Sequence, residues 1–182
     1  VKIINNPTSV RNISEKFYSS KYQKFMPRTI FTQNLSEIKK IRKENKNKKI
    51  GLCHGAFDIL HLGHLNHFQI AKQNVDILIV SITGDKYIKK GPNNPYNNQT
   101  KRASFLKHIN SIDYIFIDEN VTAENVITNL KPNIYFKGKD YLKKDISDNL
   151  SKEIKILKKN KGKIYYTKSE LMSSSKIINN FF

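Results

Sequence analysis

The chain has 182 residues, of which 38% are hydrophobic and 10% aromatic, and these proportions are ordinary for a soluble globular protein. No apolar run approaches the roughly 20 residues that span a bilayer, and the N-terminal segment lacks the order of a signal peptide. The single cysteine, Cys53, excludes an internal disulfide bond and makes a cytoplasmic location the expectation. Because position 1 is Val rather than Met, we expect a processed form or part of a longer polypeptide.

The formal net charge is +18, from 29 lysines and 4 arginines against 15 acidic residues. A balance this basic raises nucleic acid as a candidate partner. Arginine is the usual residue for bidentate recognition of bases and phosphates, however, and it is nearly absent here. We therefore favour a lysine-rich solvated surface over an electrostatic funnel for anionic substrates, and we do not favour a nucleic-acid partner.

The beginning of the chain differs in pattern from the rest. Residues 1–30 have little periodicity and are predicted to be an N-terminal arm or the tail of a preceding module, with the folded domain at 31–182. Leu35, Ile38 and Ile41 follow at helical spacing and predict a short amphipathic helix. The lysine and asparagine cluster at 43–49 ends it.

From residue 50 onward, strand-like and helix-like segments alternate. Strands are predicted at 50–53, 75–82, 114–117, 133–136 and 163–167. Helices are predicted at 62–72 with Leu65 and Phe68 on the apolar side, at 99–109, from a Thr122 N-cap through residue 130, at 147–159, and from residue 173. This alternation predicts an α/β fold, a Rossmann-like parallel sheet with helices on both faces, whose ligands bind at the carboxyl ends of the strands.

The segment His54-Gly-Ala-Phe-Asp-Ile-Leu-His-Leu-Gly-His64 falls at such a position. Gly55 follows a buried strand, where a backbone without a side chain can turn sharply and approach a ligand. His61 and His64 lie three residues apart at a helix start, so both rings can face the same side. The helix N-terminus adds free N–H groups and a positive dipole end, which together favour an anion.

Histidine at this place can donate to triphosphate oxygens that gain charge as pyrophosphate leaves. A hydrogen bond to a charged group contributes about 1.5–3 kcal/mol, so two such donors could supply several orders of magnitude in rate. Zinc ligation is the alternative, but no cysteine, glutamate or further histidine at suitable spacing completes a zinc set, and we predict no protein-bound metal. A chance pair of core or surface histidines is the other alternative.

The run Gly55-x-Phe-Asp-x-x-His-x-Gly-His64 resembles the signature of the cytidylyltransferase-like nucleotidyltransferases. Downstream segments resemble the adenylyltransferase domain of ADP-heptose synthases. They are the Lys-Gly-Pro loop at Lys90, an arginine early in the next helix at Arg102, Lys-Gly-Lys-Asp-Tyr at 137–141, and the serines at 173–175. The resemblance covers about residues 31–180.

The resemblance implies roles for individual residues. His61, His64 and Lys90 would be catalytic, with Lys89 as the competitor for Lys90. The nucleotide and acceptor would contact Gly55, Ala56, Phe57, Asp58, Arg102, Gly138, Asp140, Tyr141, Ser173, Ser174 and Ser175. Three of these roles have ordinary alternatives, namely a surface ion pair for Arg102, a turn residue for Asp140 and plain helix capping for the serines.

The implied reaction is an in-line displacement in which an acceptor phosphate attacks the α-phosphorus of a nucleoside triphosphate and pyrophosphate leaves. Mg²⁺ is the expected cofactor, as bridging counter-ion of the triphosphate. The closest segments favour ATP and a sugar 1-phosphate of the heptose type. The alternatives are CTP with glycerol phosphate or another polyol phosphate, and a nucleotide-binding protein without turnover. The resemblance also allows a homodimer.

Three positions depart from the pattern and concern the base rather than the phosphates. Lys139 stands where the related segment has glycine, which places a long cation near the expected nucleoside pocket. Lys168 replaces arginine and Leu171 replaces glycine in the stretch before the serines. The identity of the base and of the acceptor therefore stays open at this point.

Overall fold

Six parallel strands form one sheet in the structure, a computed structural model that describes residues 30–88, 95–142 and 148–168. The strands are β1 Ile30–Thr32, β2 Ile50–Gly55, β3 Ile77–Thr83, β4 Tyr114–Asp118, β5 Ile134–Gly138 and β6 Lys163–Thr167. The helices are α1 Leu35–Glu44, α2 Leu62–Gln73, α3 Gln99–Lys107, α4 Glu124–Leu130 and α5 Asp148–Lys159, with short 3₁₀ turns at Asp85–Tyr87 and Lys139–Leu142.

The strand order is β1-β4-β3-β2-β5-β6, so after β2 the chain adds strands first on one side of this strand and then on the other. The chain builds outward from β2 to β3 and β4, and then crosses back to place β5 on the other side of β2. The pairing of β2 with β5 ends at Cys53 and Phe136, and the helices that follow these two strands pack on opposite faces of the sheet. We call the space between the carboxyl ends of β2 and β5 the crevice, because doubly wound sheets bind ligands at this position. The predicted Rossmann-like fold is confirmed.

Two apolar layers cover the sheet. One layer packs α1, α4 and α5 against alternate strand residues, and its fully buried members include Ile38, Leu52, Ile79, Val126 and Leu157. The other packs α2 and α3 against the opposite face, with Phe68, Val80, Leu106, Ile115 and Phe136. Because alternate residues of each strand point to opposite faces, continuous apolar strands such as β3 fill both layers at once.

Some boundaries differ from those predicted. The sequence did not predict β1, a three-residue edge strand too short to give a periodic signal, and the expected domain start at residue 31 stays a prediction. Leu65 is 42% exposed, because α2 turns Gly63, His67, Phe68 and Ala71 inward instead. Thr122 is not the N-cap of α4, since Ala123 holds that position and the Thr122 hydroxyl donates to the Glu124 carboxylate at 3.1 Å.

Several predicted features lie outside the described residues. They are the N-terminal arm, Lys89, Lys90, the serines at 173–175 with their predicted helix, and the side chain of Asp140. Among the helices that the structure describes, none is both long enough and apolar enough to cross a membrane.

Candidate active site

The loop between β2 and α2 is shaped by an unusual backbone conformation at Phe57, whose φ is 49°. This left-handed conformation is rare for a bulky residue and turns the Phe57 ring back over Gly55. A β-carbon at position 55 would lie 3.2 Å from the ring, tighter than ordinary contact. Glycine at 55 is therefore needed for the ring of Phe57, in addition to any close approach of a ligand.

The two motif histidines stack on each other at the start of α2. Their ring centroids are 3.8 Å apart with an interplanar angle of 26°, and the Phe57 ring meets His64 edge-on at 5.4 Å. His61 is the N-cap, and its carbonyl accepts from the His64 N–H at 2.9 Å. The first turn of α2 contains no acidic residue that would compensate the positive end of the helix dipole. The predicted common orientation of the rings is confirmed, whereas their catalytic role stays a prediction.

The protonation of His61 follows from its surroundings. Burial lowers the pKa of His61, so this imidazole is neutral at physiological pH and offers one N–H donor. Within the described residues, Nδ1 of His61 is buried and has no hydrogen-bond partner. A buried polar atom of this kind is a candidate contact for a ligand.

Asp58 binds the main chain ahead of α3. Its two carboxylate oxygens accept from the N–H groups of Tyr96 and Asn97, each at 2.7 Å. The Asn97 side-chain amide returns a bond to the Asp58 carbonyl at 3.1 Å. In this structure the aspartate therefore holds the motif loop against residues 95–97, and its predicted contact with nucleotide stays a prediction.

Arg102 is fully buried, although the sequence suggested a reach toward phosphate. Its guanidinium donates to the carbonyls of Ala56, Thr83 and Asn97, and it forms a 2.7 Å ion pair with Asp85. These bonds connect the loops that follow β2 and β3 with the loop that precedes α3. A surface ion pair, the alternative taken from sequence, is wrong because the side chain has no exposed area. The contacts make Arg102 a positioning residue, and a direct phosphate contact stays untested.

Asp85 and Gln99 complete this arrangement. The Asp85 carboxylate accepts from the Gln99 N–H at 3.0 Å, and the Asp85 N–H donates to the Gln99 side chain at 2.9 Å. Residues 85–88 and 95–99 flank the segment that carries Lys89 and Lys90. Residues 85–88 and 95–99 are thus fixed beside the motif loop, at the same edge of the sheet as His61 and His64.

On the β5 side of the crevice, a buried ion pair that the sequence did not predict joins β5 to α5. Lys137 Nζ lies 3.5 Å from the Glu153 carboxylate, with both side chains less than a tenth exposed. Glu153 also accepts from Tyr135 OH and from the Ala123 N–H, each at 2.9 Å. Lys137 lies under the predicted site residue Tyr141, whose ring centroid is 4.9 Å from Nζ and whose surface is 38% exposed. Gly138 follows at the end of β5.

His54 is a second residue that the sequence did not single out for a role. Its Nδ1 lies 3.1 Å from the Ser81 hydroxyl, and Nε2 lies 3.4 Å from that of Thr83. Burial, together with the nearby charge of Lys137, lowers the pKa of His54 to about 3. The imidazole is therefore neutral across the physiological pH range, and it joins β2 to β3 through the hydroxyls of Ser81 and Thr83.

Asp118 ends β4 with a fully buried carboxylate. Asn120 donates to its Oδ1 at 2.7 Å, and among the described residues Oδ2 has no hydrogen-bond partner. Burial raises the pKa of Asp118 to about 6; the Asn120 bond opposes this shift, and the charges of Glu153 and Glu119 add to it.

The raised pKa of Asp118 gives a prediction about stability and pH. Between about pH 4 and pH 6 the folded chain holds the proton more tightly than the unfolded chain, so stability should fall as pH rises through this window. Asp118→Asn removes this contribution, and its melting temperature relative to wild type should rise by several degrees from pH 4.5 to pH 7. Parallel melting curves across this range would contradict the assignment.

No group of three or more histidine, cysteine or acidic side chains in the described residues could hold a metal ion. The two carboxylates nearest the motif already have other partners, since Asp58 accepts from main-chain N–H groups and Asp85 forms an ion pair with Arg102. The described residues thus supply no protein cage for Mg²⁺, which usually binds few carboxylates and otherwise water and substrate phosphates.

Comparison with known proteins shows to which family the chain belongs. A family model described as cytidylyltransferase-like matches residues 52–180, which include the motif loop, the crevice and both of its walls. The chain belongs to this family. Bifunctional protein HldE of Nitratiruptor sp. is 37% identical over 142 residues, covering 75% of this chain and 31% of the relative. HldE of Helicobacter pylori strain J99 is 36% identical over 140 residues, covering 75% and 30%.

The chain thus spans less than a third of the length of these curated relatives. Among solved structures, the lipopolysaccharide core biosynthesis protein of Thermoplasma volcanium aligns with a TM-score of 0.58 at 22% identity, over 68% of this chain and 99% of that one. Pantoate-beta-alanine ligase of Francisella tularensis aligns with a TM-score of 0.60 at 21% identity, over 83% and 73%. At these identities the structural likeness concerns the fold. The chain is a nucleotidyltransferase-like domain related to HldE.

Proposed function

We propose that this domain transfers a nucleotidyl group from a nucleoside triphosphate, with ATP favoured, to a sugar phosphate of the heptose 1-phosphate type and releases pyrophosphate. The observation that carries the proposal is the stacked pair His61 and His64 at an uncompensated helix N-terminus beside the switch-point crevice. The buried Nδ1 of His61, which has no partner among the described residues, suits a ligand oxygen there. The similarity to HldE supports the choice of ATP.

In the proposed reaction, an oxygen of the acceptor phosphate attacks the α-phosphorus in line with the leaving group. The bond between the α-phosphorus and its bridging oxygen breaks, and pyrophosphate carries away the negative charge. His61 and His64 donate to the triphosphate as this charge develops, and the α2 dipole favours the same charge. Lys90 and Ser173–Ser175 are proposed to contact phosphates as well. Catalysis then depends on positioning and charge stabilisation, with no covalent enzyme intermediate.

Mg²⁺ is proposed to arrive with the triphosphate, because the described residues offer it no cluster of ligands. When bound, it would neutralise phosphate charge, and we assign no protein group to it. A homodimer also stays a proposal.

The Lys-Gly loop gives a prediction about triphosphate handling. Lys90→Ala should raise the KM for the triphosphate and lower kcat, while leaving the KM for the acceptor nearly unchanged, because the charge is proposed to lie over the phosphates. Lys89→Ala is the matched control. If Lys89→Ala is the damaging change instead, the assignment within the loop is wrong by one residue.

The identity of the nucleotide base gives a second prediction, which concerns substrate specificity. A site that hydrogen-bonds one base rejects the other strongly, because the wrong base leaves buried polar groups unpaired. We therefore expect one clear preference, for ATP, in kcat/KM with the best acceptor. Lys139→Gly, which restores the glycine of the related segment, should change the ratio of ATP to CTP rather than overall turnover. A strong CTP preference in the wild type would contradict the adenylyl assignment and favour the polyol-phosphate cytidylyltransferase.

A pyrophosphate-release screen that crosses ATP and CTP with a panel of sugar and polyol phosphates tests the proposal. We expect release with one triphosphate and a narrow set of acceptors. Binding of nucleotide without any release would favour a nucleotide-binding protein that retains the fold.

A further inference from the structure

A third histidine lies on the motif helix, one turn beyond His64. His67 is 8% exposed, and its Nδ1 lies 2.7 Å from the hydroxyl of Thr167, the fully buried last residue of β6. The same hydroxyl lies 3.4 Å from the carbonyl of Lys137 in β5. A helix and two strands thus meet at one buried polar contact.

The direction of these hydrogen bonds follows from the available protons. The Thr167 hydroxyl has a single proton, and a carbonyl can only accept. If the hydroxyl donates to the Lys137 carbonyl, it must accept from His67, so His67 carries its proton on Nδ1. The chain of donors then runs from the imidazole to the hydroxyl to the carbonyl.

The contact between His67 and Thr167 joins the two halves of the sheet. Helix α2 connects β2 to β3 and so belongs by sequence to one half of the sheet, whereas β5 and β6 form the other half. The bond from His67 to Thr167 therefore crosses the switch point and joins the helix that carries His61 and His64 to the opposite wall of the crevice. An apolar pair could fill the same space, but it would not fix the helix at one place along the strand.

We propose that His67, through Thr167, is a positioning residue that sets where His61 and His64 face the crevice. This inference rests on the proposed function, because the histidine pair is taken to act on the triphosphate. Displacement of a catalytic group by about 1 Å can cost about a hundredfold in rate, so loss of this link should reduce turnover without removing the binding groups themselves.

Four variants separate positioning from stability. Thr167→Val keeps the shape and removes the hydroxyl, and Thr167→Ser keeps the hydroxyl. His67→Leu combined with Thr167→Val removes both polar partners, and replacement of both partners by apolar groups is nearly neutral for stability. Thr128→Val, which removes an exposed hydroxyl bonded to the Glu124 carbonyl in α4, is the matched control.

We expect Thr167→Val to lower kcat at least tenfold with little change in either KM, and Thr167→Ser and Thr128→Val to behave as wild type. The double variant should regain the melting temperature of the wild type but not its kcat. Recovery of kcat together with melting temperature would reduce the contact to a stabilising one and overturn the proposal. Absence of turnover in the wild type would instead count against the proposed function.

A measurement independent of turnover completes the test. The chain has only five histidines, so ¹⁵N spectra of the imidazoles can follow each one. We expect His67 to be protonated at Nδ1, and the signals of His61 and His64 to move in Thr167→Val and in the double variant but not in Thr167→Ser. Unchanged His61 and His64 signals in Thr167→Val would overturn the proposal whatever the activity.

Discussion

His61→Ala and His64→Ala are each expected to lower turnover by at least about a hundredfold. A donor to a charged group contributes about 1.5–3 kcal/mol, and each 1.36 kcal/mol corresponds to about tenfold in rate. The two rings stack at 3.8 Å, so loss of either one also removes the packing surface that orients the other. The measurement is kcat with saturating triphosphate and acceptor, together with circular dichroism and melting, which should change little.

His108→Ala is the matched control for this experiment. His108 lies at the end of α3, is exposed, and places Nδ1 2.8 Å from the Ser104 carbonyl. Its loss should leave turnover within about twofold of the wild type. Near-normal turnover in His61→Ala or in His64→Ala would remove the main support for the proposed mechanism.

Arg102→Met should damage both stability and activity. The change removes the donor from one oxygen of the Asp85 carboxylate and from three carbonyls, in a site where Arg102 has no exposed area. Buried carbonyls left without a hydrogen-bond donor cost about 1–3 kcal/mol, which lowers the melting temperature of a domain of this size by several degrees. The lost ion pair adds less, because the Asp85 side chain is 33% exposed. Turnover below that temperature should also fall by at least tenfold, because the motif loop loses its bonds to the loop after β3 and to the loop before α3.

Arg42→Met tests whether this effect is specific to the carboxyl edge. Arg42 also donates to main-chain carbonyls, those of Asn45 and Lys46, but it lies at the end of α1 and is partly exposed. It should lose little stability and no activity. If Arg102→Met instead melts like the wild type and only raises the KM for the triphosphate, Arg102 is a phosphate ligand as the sequence suggested.

The sequence was sufficient to predict the architecture because its signals are local and repeated. The run at 75–82 is apolar without alternation, which indicates a strand buried on both faces, and β3 occupies 77–83. The position of the motif after β2 followed from the same reading. Edge strand β1 was missed because three residues carry no period, and its stabilisation comes from pairing with β4.

The roles within the site depended on contacts that sequence spacing does not encode. Arg102 was expected to reach a phosphate from its position early in a helix, whereas its bonds reach Ala56, 46 residues away. His67 and Thr167 are 100 residues apart, and Glu153 is 30 residues from Ala123, whose N–H donates to the Glu153 carboxylate. Partners this far apart in sequence can be identified only from the three-dimensional arrangement of the strands and helices.

The most direct test of the central claim is the stoichiometry of the reaction in the purified domain, measured with the best triphosphate and acceptor from the screen. The account predicts one pyrophosphate for each nucleotidyl-sugar formed, both dependent on the acceptor and both lost when His61 and His64 are replaced together by alanine. Nucleotidyl transfer that persists in that double variant, or pyrophosphate released without a nucleotidyl product, would contradict it.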